Sequence, residues 1–313
     1  MAIAFTFPGQ GSQTVGMGKA LAEAFPAARA VFDEVDDALG EKLSRIMWEG
    51  PADTLTLTEN TQPALLAVSV AAMRALEEEA GVDMQRDAKF VAGHSLGEYS
   101  ALAAAGSFAL ADAARLVKIR GRAMQQAVPV GQGAMAAIRG LEPADVKAIA
   151  AEAAHGEVCE AANDNAPGQF VVSGARAAVE RAVEIAKARG ARAMLLPVSA
   201  PFHCALMQPA AEAMREALGN VKVNAPNVPL VANVTAGPST DPAEIVQNLI
   251  AQVTGTVRWR ECVTYLTGHG VTRLVEVGSG KVLSGLARRI AKETPAMSVG
   301  TPDDVAAFKS TAS

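Results

Sequence analysis

The sequence predicts an α/β protein: a hydrolase-like parallel sheet with helices on both faces, plus an inserted ferredoxin-like (βαββαβ) small domain. Three observations predict this. Short apolar runs alternate with helical patterns along most of the chain, as strands of a parallel sheet covered on both faces do. The pentapeptide Gly93-His94-Ser95-Leu96-Gly97 matches G-x-S-x-G and lies between one such run and a helical stretch, the setting of a nucleophile elbow. From residue 128 the rhythm changes to β-α-β-β-α-β, the split unit of ferredoxin-like domains. The division that follows is 1–127 with 199–313 as a large α/β domain and 128–198 as the small insert.

In order, Ala2–Phe7 reads as the first strand, ending in the loop Pro8-Gly9-Gln10-Gly11-Ser12-Gln13. Helical patterns run on to about residue 80, punctuated by Pro51 and Pro63. Lys89–Ala92 is the strand feeding the elbow, and Glu98–Ala105 a helix stopped by Gly106. The glycines permit a cramped turn, and the helix aims its free N–H groups and positive dipole end at the serine. A helix follows from about Asp112 to Gln126. In the insert, strands at Gly133–Arg139, Val158–Ala162, Gln169–Ser173 and Ala193–Val198 surround helices at Pro143–Ala154 and Ala175–Arg189. Pro129 and glycines 131, 133 and 140 mark its entry, Pro197 and Pro201 its exit. Pro229–Asn233 and Arg273–Val277 are further strands, and Thr301–Ser313 is expected to be a frayed tail. Ligands bind outside the carboxyl ends of such strands and in clefts between domains. The loops holding Gln10, Ser95 and Gly278-Ser279-Gly280 should therefore gather at one rim.

Half of the 313 residues are hydrophobic and 19% are charged, with a mean hydropathy of +0.18, which excludes a disordered chain. A net charge of −5 argues against nucleic acid as the main partner. Cys159, Cys204 and Cys262 lack metal or disulfide spacing, which fits a reducing compartment. The N-terminus lacks a basic region, and the longest apolar stretch, Pro63–Met73, is too short to span a bilayer. These observations give the expectation of a cytoplasmic protein with no membrane segment. Neither glycine-rich loop has dinucleotide or P-loop spacing.

A serine nucleophile needs a base. Of the four histidines, His94 adjoins the serine and should point away from its hydroxyl, while His155 and His269 read as helix caps. His203, in the loop Val198-Ser199-Ala200-Pro201-Phe202-His203-Cys204, lies downstream of the elbow, where hydrolase-like sheets place their histidine. No aspartate in a suitable late loop stands out to orient it, which leaves a backbone carbonyl for that role in a Ser-His dyad. On the helix 112–126, Arg120 falls on the apolar stripe with Ala113, Leu116, Val117 and Met124. Such a guanidinium is costly to bury alone. A salt bridge to a structural carboxylate, snorkelling to the surface, or a fork for a substrate carboxylate all fit that pattern.

The elbow, extended through Gly97-Glu98-Tyr99-Ser100-Ala101, closely resembles that of malonyl-CoA:acyl carrier protein transacylases. So do Phe7–Gln13, Thr61-Gln62-Pro63-Ala64-Leu65, Arg120–Gln125, Asn163-x-Asn165-x-Pro167-Gly168-Gln169, Pro197-Val198-Ser199 with His203, and Glu276–Leu283. The resemblance implies Ser95 as the malonyl-carrying nucleophile and His203 as its base, oriented by the main-chain carbonyl of Gln252. It implies an oxyanion hole from the N–H groups of Gln10 and Leu96, and Arg120 gripping the malonyl carboxylate. Phe202 is similar to the malonyl-selecting pattern of polyketide acyltransferase domains, and Gln62 and Asn163 join the substrate site. The activity implied is malonyl transfer from malonyl-CoA to the phosphopantetheine thiol of acyl carrier protein, for fatty-acid synthesis, by a monomer with no cofactor and no metal. A serine thioesterase or esterase, and a malonyl-loading enzyme of polyketide synthesis, are the alternatives. The acidic carrier should dock on a basic surface, with Arg288, Arg289 and Lys292 as candidates.

Overall fold

The computed structural model describes residues 2–312; of the predicted segments, only the extreme residues Met1 and Ser313 lie outside them. Ten strands are used below: β1 (Ile3–Phe7), β2 (Ala88–Gly93), β3 (Gly133–Arg139), β4 (Cys159–Ala166), β5 (Gln169–Ala175), β6 (Arg192–Leu195), β7 (Leu230–Val231), β8 (Pro238–Ser239), β9 (Arg273–Val277) and β10 (Ala296–Val299). Six form one sheet in the order β10-β9-β1-β2-β7-β8, parallel except for the β7–β8 hairpin. Alternation along the strands feeds two cores. Phe5, Phe7 and Val91 pack against one layer of helices, while Ala4, Phe90 and Ala92 pack with Trp259, Leu266 and Leu286 on the other face. Chain register sets the site. Phe7 pairs with Gly93 and Thr6 with Glu276, so the loops after β1, β2 and β9 emerge side by side at the carboxyl rim. At that rim Ser279 donates its hydroxyl to the Ser12 carbonyl at 2.7 Å.

The other sheet is antiparallel, ordered β4-β5-β3-β6. Helices Pro143–Ala154 and Arg176–Ala188 pack on it around a separate apolar cluster that includes Ile138, Val146, Ile149, Phe170, Val179 and Val183. The two sheets are joined at β4. The Asp164 N–H donates to the Val257 carbonyl and the Val257 N–H to the Ala162 carbonyl, both at 2.9 Å, and Arg260 makes a forked ion pair with Asp164.

Two expectations require correction. Pro63 does not end a helix but lies inside Thr58–Ala80. Its missing N–H costs one intrahelical bond, outweighed by burial of nearly every residue from Asn60 to Leu76. The C-terminal tail is not frayed either: Pro302–Ala312 is a helix. Asp304 accepts from the Thr301 N–H at 3.0 Å while Thr301 Oγ1 accepts from the Asp304 N–H at 3.2 Å, a reciprocal cap. Val305 and Phe308 are buried, with Arg273 stacked 5.2 Å from the Phe308 ring. The short strands β8 and β10 were not expected from the sequence. No helix among the described residues is long and apolar enough to cross a membrane.

Candidate active site

β2 ends at Gly93 and the next helix starts at Gly97, so the turn between them has three residues. A Cβ at Gly93 would lie 1.9 Å from the Gly97 carbonyl carbon, and one at Gly97 would lie 2.2 Å from the Phe7 carbonyl oxygen. No other residue fits at either position. Ser95 sits at the apex with φ +53°, a strained conformation that the surroundings must hold in place. The Asn233 side chain supplies part of that hold: its Oδ1 accepts from the Ser95 N–H at 2.8 Å and its Nδ2 donates to the Gly93 carbonyl at 2.7 Å.

His203, also at positive φ (+58°), places Nε2 2.8 Å from Ser95 Oγ and Nδ1 2.9 Å from the main-chain oxygen of Gln252. With its proton on Nδ1 donated to that carbonyl, the ring leaves Nε2 free to accept from the hydroxyl. Burial first, and the nearby Arg120 charge second, push the imidazole down to about 3, so it is neutral near pH 7. His94 lines the same cavity but points away from the hydroxyl, with Nε2 2.8 Å from Asn165 Oδ1 and its ring against Trp259. His155 and His269 sit at helix C-termini.

Arg120 is 1% exposed and all its hydrogen-bond partners are neutral. Nη1 donates to Gln62 Oε1 at 2.7 Å, and Nη2 to Ser95 Oγ at 3.0 Å and Gln252 Oε1 at 2.8 Å. The Tyr99 ring lies 5.7 Å from the guanidinium carbon. Among the described residues no carboxylate oxygen comes within 4.0 Å of it. That removes two of the three readings of the sequence pattern, the structural salt bridge and the surface snorkel. Burial lowers the guanidinium from its ordinary value.

A cavity of about 450 Å³ opens over Ser95. Loops and helices around the large sheet contribute Gln10, Gln62, Leu96, Arg120, Phe202 and His203; the antiparallel sheet contributes Met135, Asn163, Asn165 and Val171. Register shifts in β4 at Ala161/Asn163 and Asp164/Ala166 re-aim strand residues as bulges do, and both asparagines reach the cavity. The amide N–H groups of Gln10 and Leu96 have no acceptor among the described residues, although the Gln10 side chain is held by Thr58 at 2.8 Å. No group of His, Cys, Asp and Glu suited to a metal occurs among the described residues. Arg288, Arg289 and Lys292 are exposed, but the Arg289 guanidinium is engaged with Gln169 and the Pro167 carbonyl at the β4–β5 turn.

Sequence reasoning passed over Glu98 and Asn233. Glu98 is 1% exposed. One of its oxygens accepts from the Asn233 N–H at 2.5 Å and the other from Gln252 Nε2. Burial raises its carboxyl to about 8 against the opposing pull of those two donors and of Arg120. The only local signal was an acidic residue in the first turn of a helix buried from Gly97 to Ala103.

A parallel sheet whose elbow sets a serine between a neutral histidine and a buried, carboxylate-free arginine defines a class of serine-centred α/β proteins. Within it, the chain belongs to the acyl transferase domain family, whose model matches residues 4–302. It is 47% identical over 305 residues to the malonyl CoA-acyl carrier protein transacylase of Escherichia coli K12, covering 97% of each chain. It superposes with a TM-score of 0.97 on the acyl-carrier-protein S-malonyltransferase of Bartonella henselae, at 59% identity and 99% coverage of both. A malonyl-transacylase solved in complex with its type II acyl-carrier protein is 42% identical, with a TM-score of 0.96, covering 99% of this chain and all of that one.

Proposed function

We propose that this chain transfers malonyl from malonyl-CoA to the phosphopantetheine thiol of acyl carrier protein, through a malonyl ester on Ser95. One observation carries the reading: a fully buried arginine with only neutral partners, its Nη2 3.0 Å from the nucleophilic oxygen. An incoming carboxylate is the partner that charge lacks. The names of the relatives agree with this activity.

In the first half-reaction Ser95 Oγ gives its proton to His203 Nε2 and attacks the thioester carbonyl. The oxyanion lies between the Gln10 and Leu96 N–H groups, each worth about 100- to 1,000-fold in rate. Collapse breaks the C–S bond, and coenzyme A sulfur takes the proton from His203. In the second half the carrier thiol loses its proton to His203, attacks the ester, and returns Ser95 to its hydroxyl form. The Gln252 carbonyl holds the tautomer, which makes the machinery a Ser-His dyad. Gln62 steadies Arg120, while Phe202 and Asn163 line the malonyl path and Phe202 crowds an α-methyl. No cofactor or metal is required by these steps.

We further read residues 128–198 as a ferredoxin-like insert into the domain formed by 1–127 and 199–313. The strand order β4-β5-β3-β6 with two helices packed on the sheet supports that reading. The enzyme acts as a cytoplasmic monomer in fatty-acid synthesis, with the carrier docking on a basic surface near Arg288, Arg289 and Lys292. The test is incubation with radiolabelled malonyl-CoA with and without carrier protein. A Ser95-linked malonyl group that moves to the carrier thiol is expected. Release of free malonate at the same rate without carrier would make the protein a thioesterase instead.

A further inference from the structure

Gln252 touches three groups of the proposed machinery at once. Its main-chain oxygen holds His203 Nδ1, its Oε1 accepts from Arg120 Nη2, and its Nε2 donates to the Ser95 carbonyl at 3.0 Å. An amide reversed by rotation would turn its NH₂ against the guanidinium and its oxygen against the Ser95 carbonyl. Arg120 and the Ser95 carbonyl favour the observed sense, and Glu98 adds the acceptor that locks it. Glu98 Oε2 accepts from Gln252 Nε2, while Oε1 is occupied by the Asn233 N–H at 2.5 Å. Asn233 in turn grips both sides of the elbow through its side chain. Glu98, Gln252, Asn233 and Arg120 are all buried.

We propose that Glu98 is a positioning residue for malonyl selection: by accepting at both oxygens it locks the Gln252 amide so that Oε1 faces Arg120 and aims the guanidinium across Ser95. The role requires two acceptor oxygens on one planar group. An ionised carboxylate has them, and the two N–H donors favour that form, whereas glutamine has one. In Glu98→Gln the backbone N–H of Asn233 cannot change its polarity, so it claims the single oxygen. The new NH₂ then faces the Gln252 NH₂, donor against donor. Relieving that clash means reversing Gln252 and presenting a donor to Arg120. The arginine loses its aim, while the Gln252 main-chain carbonyl still holds His203. Losing a hydrogen bond to a charged group corresponds to about ten-fold or more.

This rests on the assignment of Arg120 to the malonyl carboxylate, and the experiment separates the two. Single-turnover acylation of Ser95 is measured with malonyl-CoA and with acetyl-CoA in the full-length wild type and in Glu98→Gln, alongside thermal unfolding. The expected result is a malonyl-to-acetyl ratio at least ten-fold lower in the variant. Equal losses on both substrates, as a merely structural role would give, overturn the proposal, and so does an unchanged ratio. A wild type that forms no malonyl-enzyme sinks the functional reading instead. If Glu98→Gln does not fold, the same ratio is read in Gln252→Leu, which deletes the amide and keeps the main-chain carbonyl. A drop there is expected, and a wild-type ratio overturns the proposal.

Discussion

Replacing Arg120 by alanine separates substrate recognition from the chemistry at Ser95. The guanidinium is fully buried, and two of its three acceptors, Gln62 and Gln252, are neutral amides on rigid helices. Removing it takes away the only charged donor facing Ser95 Oγ among the described residues while leaving Ser95, His203 and the Gln252 carbonyl in place. A hydrogen bond to a charged group is worth about 1.5–3 kcal/mol, so kcat/KM for malonyl-CoA should fall by roughly 10- to 150-fold relative to acetyl-CoA. Acetyl transfer should fall far less, because acetyl has no carboxylate to lose. The assay is steady-state transfer from each acyl-CoA to carrier protein, with circular dichroism to establish folding. Two acceptors left without a donor cost stability, so a lower melting temperature is expected and does not bear on the argument. An equal fall for both substrates would refute the carboxylate role.

Two further outcomes follow from the same geometry. His203 is depressed from 6.5 to about 3, so between those values the folded chain binds fewer protons than the unfolded one. This contribution is absent above about pH 6.5, and below it stability falls by up to about 1.4 kcal/mol per pH unit until about pH 3. Ser95 acylation should accordingly show no His203 limb near pH 6.5, and a half-maximal rate there would contradict a neutral buried base. Phe202 is 8% exposed on the cavity wall. Phe202→Ser should raise methylmalonyl transfer relative to malonyl by about ten-fold, the scale of a methyl-sized discrimination, and an unchanged ratio would remove Phe202 from selection.

Much of the site was legible because its signals are local. The elbow is written in glycines that steric contact demands, and Arg120 betrays itself by standing on an apolar stripe. The rest depends on contacts across long stretches of chain. Glu98 meets Gln252 and Asn233 across 154 and 135 residues, and no spacing rule joins them. The absence of a carboxylate beside Arg120 is likewise a tertiary fact, so the sequence left three readings of that residue open. The C-terminal helix was missed for a different reason. Its signal, Thr301-Pro302-Asp303-Asp304 before Val305 and Phe308, is a readable cap, but chain ends fray unless they are tied down, and the docking that ties this one down is a tertiary contact. Pro63 was overread in the same way, since burial along Asn60–Leu76 outweighs one lost bond.

The placement of charge also bears on how selection is exerted. Arg120 opposes protonation of His203, yet the proposed first chemical step would have that imidazole accept the Ser95 proton. A malonyl carboxylate paired with Arg120 would cancel much of that opposition, so the bound substrate would strengthen the base that deprotonates its own attacker. Acetyl brings no such charge and leaves the guanidinium unopposed beside a forming imidazolium. Discrimination should therefore appear in the acylation rate constant at saturating acyl-CoA as well as in KM, because the interaction stabilises the transition state more than the ground state. Rapid-quench acylation of Ser95 at saturation measures it. A preference for malonyl confined to KM, with equal saturating rates for the two substrates, would mean that Arg120 only binds the carboxylate and leaves the base untouched.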